Sequence, residues 1–159
     1  MNNEERFITM VLQSWETHVA RAGNLLNELQ DEQLLREIAP GKNRGIYLIG
    51  HLIAVHDAMN AILEIGGRSY SELDDAFINH PDKSGRKMPS IDELRSYWEQ
   101  VHAKLNNALR QIPAITWFEK HAAVSAEDFA LRPERNKLNV IINRTNHFAY
   151  HLGQLQLLK

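Results

Sequence analysis

Apolar residues recur at spacings of three and four along four long segments of the chain, which is the period of a helix that buries one face. These segments span residues 4–29, 43–65, 90–112 and 137–159. In the first of them the predicted buried stripe is Ile8, Val11, Trp15, Val19, Ala22, Leu26 and Leu29. A chain of 159 residues with 43% hydrophobic residues is long enough to bury a sizeable core. The pattern therefore predicts an all-α fold in a single domain over residues 1–159.

Turn-forming and capping residues separate these segments. A Pro-Gly pair at 40–41 precedes the second helix, and a Gly-Gly pair at 66–67 is a stop signal after it. Ser90 and Glu93 have the spacing of a capping box, so the third helix is predicted to open at Ser90. Pro113 is predicted to end that helix.

Two of the connections are long. Residues 66–89 are rich in polar and turn-forming residues, and Ser71 with Asp74 has the spacing to cap a short helix there. Residues 113–136 are predicted to hold a little irregular or extended structure. Long second and third connections favour a four-helix bundle with a crossover over a simple up-down array of hairpins.

The second helix carries polar residues around an apolar arc. The arc consists of Leu48, Leu52, Val55, Met59 and Ile62. On a helical wheel Gly50, Asp57 and Asn60 lie opposite this arc. His51 and His56 lie on its two shoulders and diverge by about 140°. These two histidines are therefore poor partners for one shared ligand.

The fourth helix places ionisable side chains along one row. His147 and His151 are four residues apart, so they project from successive turns of one face. Arg144 precedes them on the same row, and Gln154 lies alongside. Unpaired burial of a charged group costs on the order of several kcal/mol, so this row needs a partner. A metal ion or an anionic ligand would supply one.

His51 is the predicted third ligand of a metal site with His147 and His151. Neutral imidazoles suit Zn²⁺ and Ni²⁺, and three protein ligands with a coordination position left open are typical of a reactive site. The same spacing also occurs in histidines that make ordinary hydrogen bonds on a helix. Other histidines predicted to point inward compete for the third position, and these are His18, His56 and His102.

Composition and motifs exclude several classes of protein. The chain has no cysteine, which removes disulfides and thiolate chemistry, and its net charge of −2 argues against a nucleic-acid partner. The N-terminus has no long apolar run, so we expect a cytoplasmic protein without a membrane segment. Phe148 replaces the glutamate of a zinc peptidase motif, and Arg144 and Phe148 replace the glutamates of a di-iron bundle.

These residues resemble the DinB/YfiT-like superfamily, whose motifs are matched by Gly50-His51-Leu52 and by His147-x-x-x-His151-Leu-Gly-Gln154. The resemblance extends over the whole chain in length and helix layout. It implies an up-down-down-up four-helix bundle, often dimeric, that holds one divalent metal through His51, His147 and His151. Despite its name, this family is unrelated to the polymerases of DNA-damage repair.

The resemblance also implies candidate activities. Members include S-transferases that use a low-molecular-weight thiol such as bacillithiol or mycothiol, a mycothiol-dependent isomerase and metal-dependent hydrolases. In all of these a metal can lower the pKa of a thiol or of water. The resemblance thus predicts a small-molecule substrate, a Zn or Ni cofactor, a low-molecular-weight thiol and a homodimer. No residue of this chain ties it to a particular thiol.

Four further residues were considered for a role, and two of them have two interpretations each. Arg144 could bind a substrate carboxylate or form an ion pair with an acidic residue of a neighbouring helix. Gln154 could support a metal ligand or pack as a helix amide. His56 is most simply a partly buried histidine, and His121 lies in a loop that could fold over the site. We assign neither of these two histidines a catalytic role.

Three hypotheses follow from the sequence. The first is a metal-dependent transferase or hydrolase that acts on a small molecule. The second is a metal-binding bundle with a structural or dimeric role and no catalysis. The third is a metal-free helical interaction protein, in which divalent ions would not affect stability.

Overall fold

The structure, a computed structural model, describes residues 2–159 as a set of helices. They are α1 (Asn3–Glu28), α2 (Asp31–Leu34), α3 (Gly45–Ile62), α4 (Leu73–Phe77), α5 (Ile91–Arg110), α6 (Ala126–Leu131) and α7 (Lys137–Gln156), with a 3-10 helix over Ala114–Phe118. The predicted all-α class is confirmed. The four predicted segments correspond to α1, α3, α5 and α7, with ends that agree within three residues.

The four long helices form a bundle in which α1 and α3 are diagonal to each other. Each of these two helices packs against both α5 and α7. Lys159, just beyond α7, pairs with Glu28 at the end of α1, so these helices run in the same direction. Lys137 at the start of α7 pairs with Glu64, just beyond α3, at 3.2 Å. Helix α3 therefore runs opposite to α7 and to α1.

The direction of α5 completes the topology. Arg95, in the second turn of α5, donates to the carbonyl oxygen of Leu29 just beyond the end of α1 at 2.9 Å. Helix α5 thus begins where α1 ends, and it runs in the same direction as α3. This gives the predicted up-down-down-up order, and the segment between α3 and α5 crosses the length of the bundle.

Local capping explains where the long helices begin. At α5 the Ser90 hydroxyl accepts from the backbone N–H of Glu93, and the Glu93 carboxylate accepts from the backbone N–H of Ser90. This is the capping box predicted from the sequence. Helix α1 opens on the same motif through Asn2 and Glu5, and Asn136 caps α7 by accepting from the N–H of Asn139.

The connections contain more helix than predicted. The short helix α4 is present, but it begins at Leu73 and has no side-chain cap, so the predicted capping role of Ser71 is wrong. Residues 113–136 hold the 3-10 helix and α6 as well as a β-bridge between Lys120 and Asn136. Helix α2 was not predicted because its four residues are too few to show a period.

The core is built around large aromatic side chains. Trp15, Phe77, Trp117 and Phe148 are fully buried. Trp15 donates its indole N–H to the Asn106 side-chain oxygen at 2.9 Å, which satisfies the one polar group of this ring. Trp117, in the 3-10 helix that packs against α1 and α7, closes the bundle beside the core.

Helix α3 is buried on nearly every side, which corrects the prediction of a polar face. Gly50, Asp57 and Asn60 were expected opposite the apolar arc, yet all three are buried. The reason is that α4 and the crossover cover the side of α3 that α5 and α7 leave open. The Asp57 carboxylate accepts from the backbone N–H groups of Ser69 and Tyr70 at 2.9 and 3.0 Å, and it pairs with Arg68.

The burial of α3 also explains its apolar composition. By length and composition alone, Gly45–Ile62 would be able to cross a membrane, with a mean hydropathy of 1.2. In the bundle 78% of this stretch is buried. A core helix of a folded protein meets the same criterion, so the burial accounts for the composition.

Replacing Asp57 by Ala tests how firmly the crossover is attached to α3. We expect Asp57→Ala to lower the free energy of unfolding by about 2–4 kcal/mol, because two backbone N–H groups and Arg68 lose a buried acceptor. Urea denaturation monitored by circular dichroism measures this change. The exposed Glu99→Ala on α5 is the control and should change stability by less than about 0.5 kcal/mol. Equal losses of stability in the two variants would contradict the role of Asp57 in attaching the crossover to α3.

Candidate metal centre

Three histidines from two helices meet at one point. The Nε2 atom of His147 lies 3.2 Å from Nε2 of His51 and 3.1 Å from Nε2 of His151. One ligand atom from each of the three lies within 4.8 Å of the others. In residues 2–159 this is the one group of three or more His, Asp or Glu side chains close enough to hold a metal ion. The structure thus brings together the three predicted ligands.

The local fold positions His51 through its neighbour Gly50. A Cβ atom at Gly50 would lie 2.2 Å from the ring of Phe77, so only glycine lets Phe77 pack on α3 at this point. The carbonyl oxygen of Phe77 in turn accepts a hydrogen bond from Nδ1 of His51 at 2.8 Å. The small residue before His51 therefore allows the contact that fixes the orientation of its imidazole.

Hydrogen bonds define the tautomers of two of the histidines. A carbonyl oxygen only accepts, so His51 carries its proton on Nδ1 and has a free lone pair on Nε2. His151 donates from Nδ1 to the side-chain oxygen of Gln154 at 2.7 Å, and it too has a free Nε2. Both lone pairs face the third histidine. This is the arrangement in which imidazoles bind a metal, each supported through its other nitrogen.

Gln154 therefore has the position of a residue that supports a ligand. Its side chain is half-buried and bonds directly to His151. The neighbouring Gly153 does not bring another helix into close contact. It is exposed, and a Cβ atom there would meet nothing within 4 Å.

Burial keeps the three imidazoles neutral. It lowers the pKa of His147 to about 4, with further lowering from His151, His51 and Arg144. Burial also lowers the pKa of His51 and of His151, and their hydrogen bonds to Phe77 and Gln154 offset part of this effect. All three pKa values thus lie below 6.5, and near pH 7 the nitrogens are unprotonated and available as ligands.

The spacing of the nitrogens fits a divalent metal. Nitrogen ligands about 2.0–2.1 Å from a tetrahedral zinc ion lie about 3.3–3.4 Å from one another. The two spacings of 3.1 and 3.2 Å are close to this value. Among the described residues no fourth His, Asp or Glu side chain joins the cluster. The residues present could therefore hold a metal ion with coordination positions left for other molecules.

Arg144 lies beside the cluster without a partner. Its side chain forms no ion pair or hydrogen bond with any residue from 2 to 159, so the predicted alternative of an ion pair between helices is not formed. Burial lowers the pKa of its guanidinium. Its positive charge lowers the pKa of His51 and His147, as expected for a group close to both. A half-buried guanidinium in this position favours binding of an anion.

Two aromatic rings border the histidines. Tyr47 stacks on His51 with ring centroids 6.3 Å apart, and Tyr150 meets His151 edge-on at 5.1 Å. Tyr47 is held by donating its hydroxyl to the carbonyl oxygen of His80, whereas Tyr150 is 64% exposed. The site thus has one fixed and one exposed aromatic neighbour.

The remaining candidate histidines lie elsewhere. His18 is half-buried and bonds to the carbonyl oxygen of Ser14. His56 and His102 are buried together in the core, so the expectation that His56 is only partly buried is wrong. His121 does not cover the site, because the next residue bonds to the carbonyl of Ile62 at the end of α3. That end is about 16 Å along the helix from His51.

Comparison with known proteins supports the family resemblance. A family model described as the DinB superfamily matches residues 14–155, a range that includes all three clustered histidines. A search of curated proteins finds no match.

Substituting Gly50 tests the contact that orients His51. We expect Gly50→Ala to displace Phe77 and its carbonyl group, lowering stability by about 1–3 kcal/mol through overpacking. Zinc affinity should fall about 10- to 100-fold as His51 loses its support. Urea denaturation in chelator and competition with a chromophoric chelator measure the two effects.

Gly153→Ala is the matched control, because it changes a helical glycine of the same site but adds its methyl group to open space. This variant should keep wild-type zinc affinity and gain about 0.5–1 kcal/mol of stability. Unchanged zinc affinity in Gly50→Ala would contradict the role given to Phe77.

Proposed function

Because the chain belongs to the DinB superfamily, we propose that it is a divalent-metal enzyme that acts on a small molecule, of the thiol S-transferase type. The observation that carries the proposal is the convergence of three neutral imidazole nitrogens, with no fourth His, Asp or Glu side chain beside them among residues 2–159. A purely structural zinc site is usually closed by four protein ligands, whereas three are typical of catalytic sites. Zn²⁺ and Ni²⁺ are the preferred ions for such a set of nitrogens.

The histidines would hold the metal through Nε2, while Phe77 and Gln154 fix the rings of His51 and His151. A divalent ion bound there would act as a Lewis acid that lowers the pKa of a thiol or a water molecule. The thiol loses its proton to solvent, and its sulfur forms a bond to an electrophilic carbon of the substrate. The leaving group departs with the electron pair of the broken bond.

Arg144 would give this reaction its substrate preference. Its guanidinium has no partner in the described chain and is partly removed from water, which strengthens its attraction to a carboxylate. It precedes His147 by one turn of α7, so a bound carboxylate would lie next to the metal. We propose a small electrophile or thiol that carries a carboxylate group.

Two related proposals use the same site. In a hydrolase, water would replace the thiol as nucleophile. In a structural role, the metal would stabilise the bundle or a homodimer, and no exchangeable position would be needed. A cytoplasmic location, a homodimer and the absence of nucleic-acid and membrane partners also remain proposals, resting on composition and on the family resemblance.

The first test is elemental analysis of protein purified without an affinity tag. We expect near-stoichiometric Zn or Ni in the wild type and none in the His51→Ala, His147→Ala, His151→Ala triple variant, because the variant lacks every ligand nitrogen. Two metal-free proteins, together with a melting temperature that added metal does not raise, would contradict metal binding. The cobalt form separates the roles, since added thiol should change its visible spectrum only if a coordination position is open.

The role of Arg144 can be tested with two thiols that differ in a carboxylate. We expect cobalt-loaded wild-type protein to bind mercaptoacetate more tightly than 2-mercaptoethanol. Arg144→Gln should weaken mercaptoacetate binding by about 10- to 100-fold, the loss of one charge-assisted contact of about 1.5–3 kcal/mol. Binding of 2-mercaptoethanol, which has no carboxylate, is the internal control and should not change. Equal loss for both thiols would show that Arg144 acts on the metal site itself.

A further inference from the structure

Two histidines that the proposed chemistry does not use are buried together in the core. His56 is 0% exposed and His102 is 3% exposed, and their rings lie among Trp15, Trp98 and Phe148. Buried imidazoles are retained in such surroundings only when their polar nitrogens find partners. A hydrogen-bond partner is therefore expected for each of the four ring nitrogens of this pair.

The hydrogen bonds of this pair run in one direction. Nδ1 of His102 lies 2.7 Å from the carbonyl oxygen of Trp98, so it must donate. Nε2 of a neutral His102 is then an acceptor, and Nδ1 of His56, 2.9 Å away, must be the donor. Burial lowers the pKa of His102 to about 4 and that of His56 well below 6.5, in keeping with two neutral rings. His56 is left with a lone pair on Nε2.

That lone pair has no donor among the described residues. Nε2 of His56 is buried and makes no hydrogen bond there, and the same holds for Nδ1 of His147. The two groups are complementary, because a His147 that binds metal through Nε2 carries its proton on Nδ1 and needs an acceptor. They also lie on helices that pack together, since Phe148, the residue after His147, contacts the His56 ring with centroids 4.8 Å apart.

We propose that His56 and His102 are positioning residues for the metal centre, with Nδ1 of His147 donating to Nε2 of His56 through one buried water molecule. A single chain of hydrogen bonds then leads from the metal ligand His147 through His56 and His102 to the carbonyl of Trp98. It gives His147 the support that Phe77 gives His51 and Gln154 gives His151.

The chain orients a ligand and does not carry protons away. It ends on a backbone carbonyl oxygen, which accepts a hydrogen bond but cannot take a proton onward near neutral pH. Hydrogen bonds in a chain strengthen one another. The bond to His102 therefore increases the basicity of Nε2 of His56, the acceptor proposed for His147. Loss of such outer support usually weakens metal binding about 10- to 100-fold.

This inference rests on the proposed metal site, and its test uses zinc affinity, measured by chelator competition, in three variants. His56→Leu should lose about 10- to 100-fold, because it has no acceptor for His147. His56→Gln keeps an amide oxygen that can accept and an amide N–H that can donate to His102, so it should recover most of the affinity. His18→Leu is the matched control, since His18 also lies near Phe148 but bonds to Ser14, and it should bind zinc like the wild type.

A spectroscopic test on the wild type does not depend on the folding of a variant. Nitrogen-15 NMR of the histidine side chains reports which ring nitrogen carries the proton. We expect the Nδ1–H tautomer at His56 and His102, and in the zinc form an Nδ1–H signal of His147 that is protected from exchange. A proton on Nε2 of His56 would overturn the inference, because that atom could no longer accept from His147.

The outcomes separate the inference from the proposed function. Zinc affinity that falls in His51→Ala but is unchanged in His56→Leu would overturn the positioning role and leave the metal site intact. Equal losses in His56→Leu and His56→Gln would also overturn it, since they would indicate a packing effect. A wild-type protein that binds no zinc would overturn both.

Discussion

The burial of helix α3 constrains most of this structure. A helix enclosed by α4, α5, α7 and the crossover exposes little of its surface to water, so the polar side chains on its buried sides need partners within the protein. Asp57 meets this requirement by binding the start of the crossover, and His56 by pairing with His102. His51 meets it with one nitrogen on Phe77, which leaves the other nitrogen for a ligand. Fold and candidate site thus follow from one condition on one helix.

The antiparallel packing of α3 and α7 brings the three clustered histidines together. The spacing of four residues puts His147 and His151 on one face of α7, and the parent helix supplies Gln154 to orient the second of them. His51 needs help from outside its own helix, since its support is a carbonyl group of α4. Gly50 matters because it allows that helix to come close. The site therefore depends on the docking of α4 as much as on the two helices that carry the ligands.

Much of this arrangement could be predicted from the sequence, and the failures have physical reasons. The period of apolar residues predicted the four long helices. In α1, α5 and α7 this period reflects one buried face and one exposed face. That same logic misplaced Asp57 and Asn60, since a helix buried all round offers no contrast between faces. The spacing of His147 and His151 predicted a pair, but helix position alone favoured His51 only weakly over His18, His56 and His102, and the family motif strengthened that choice. Wheel positions cannot give the rotation of one helix against another, which is what brings His51 to the pair.

The partners of the three clustered histidines show why spacing alone could not complete the site. His151 is supported from three residues away on its own helix, which a sequence can suggest. His51 is supported by a residue 26 positions along the chain, beyond any local pattern. For His147 the proposed acceptor belongs to His56, which lies on a different helix and is hydrogen-bonded to His102 of α5. The three supports thus lie at increasing separations in sequence from the histidines that they support, and only the support of His151 could be predicted from local spacing.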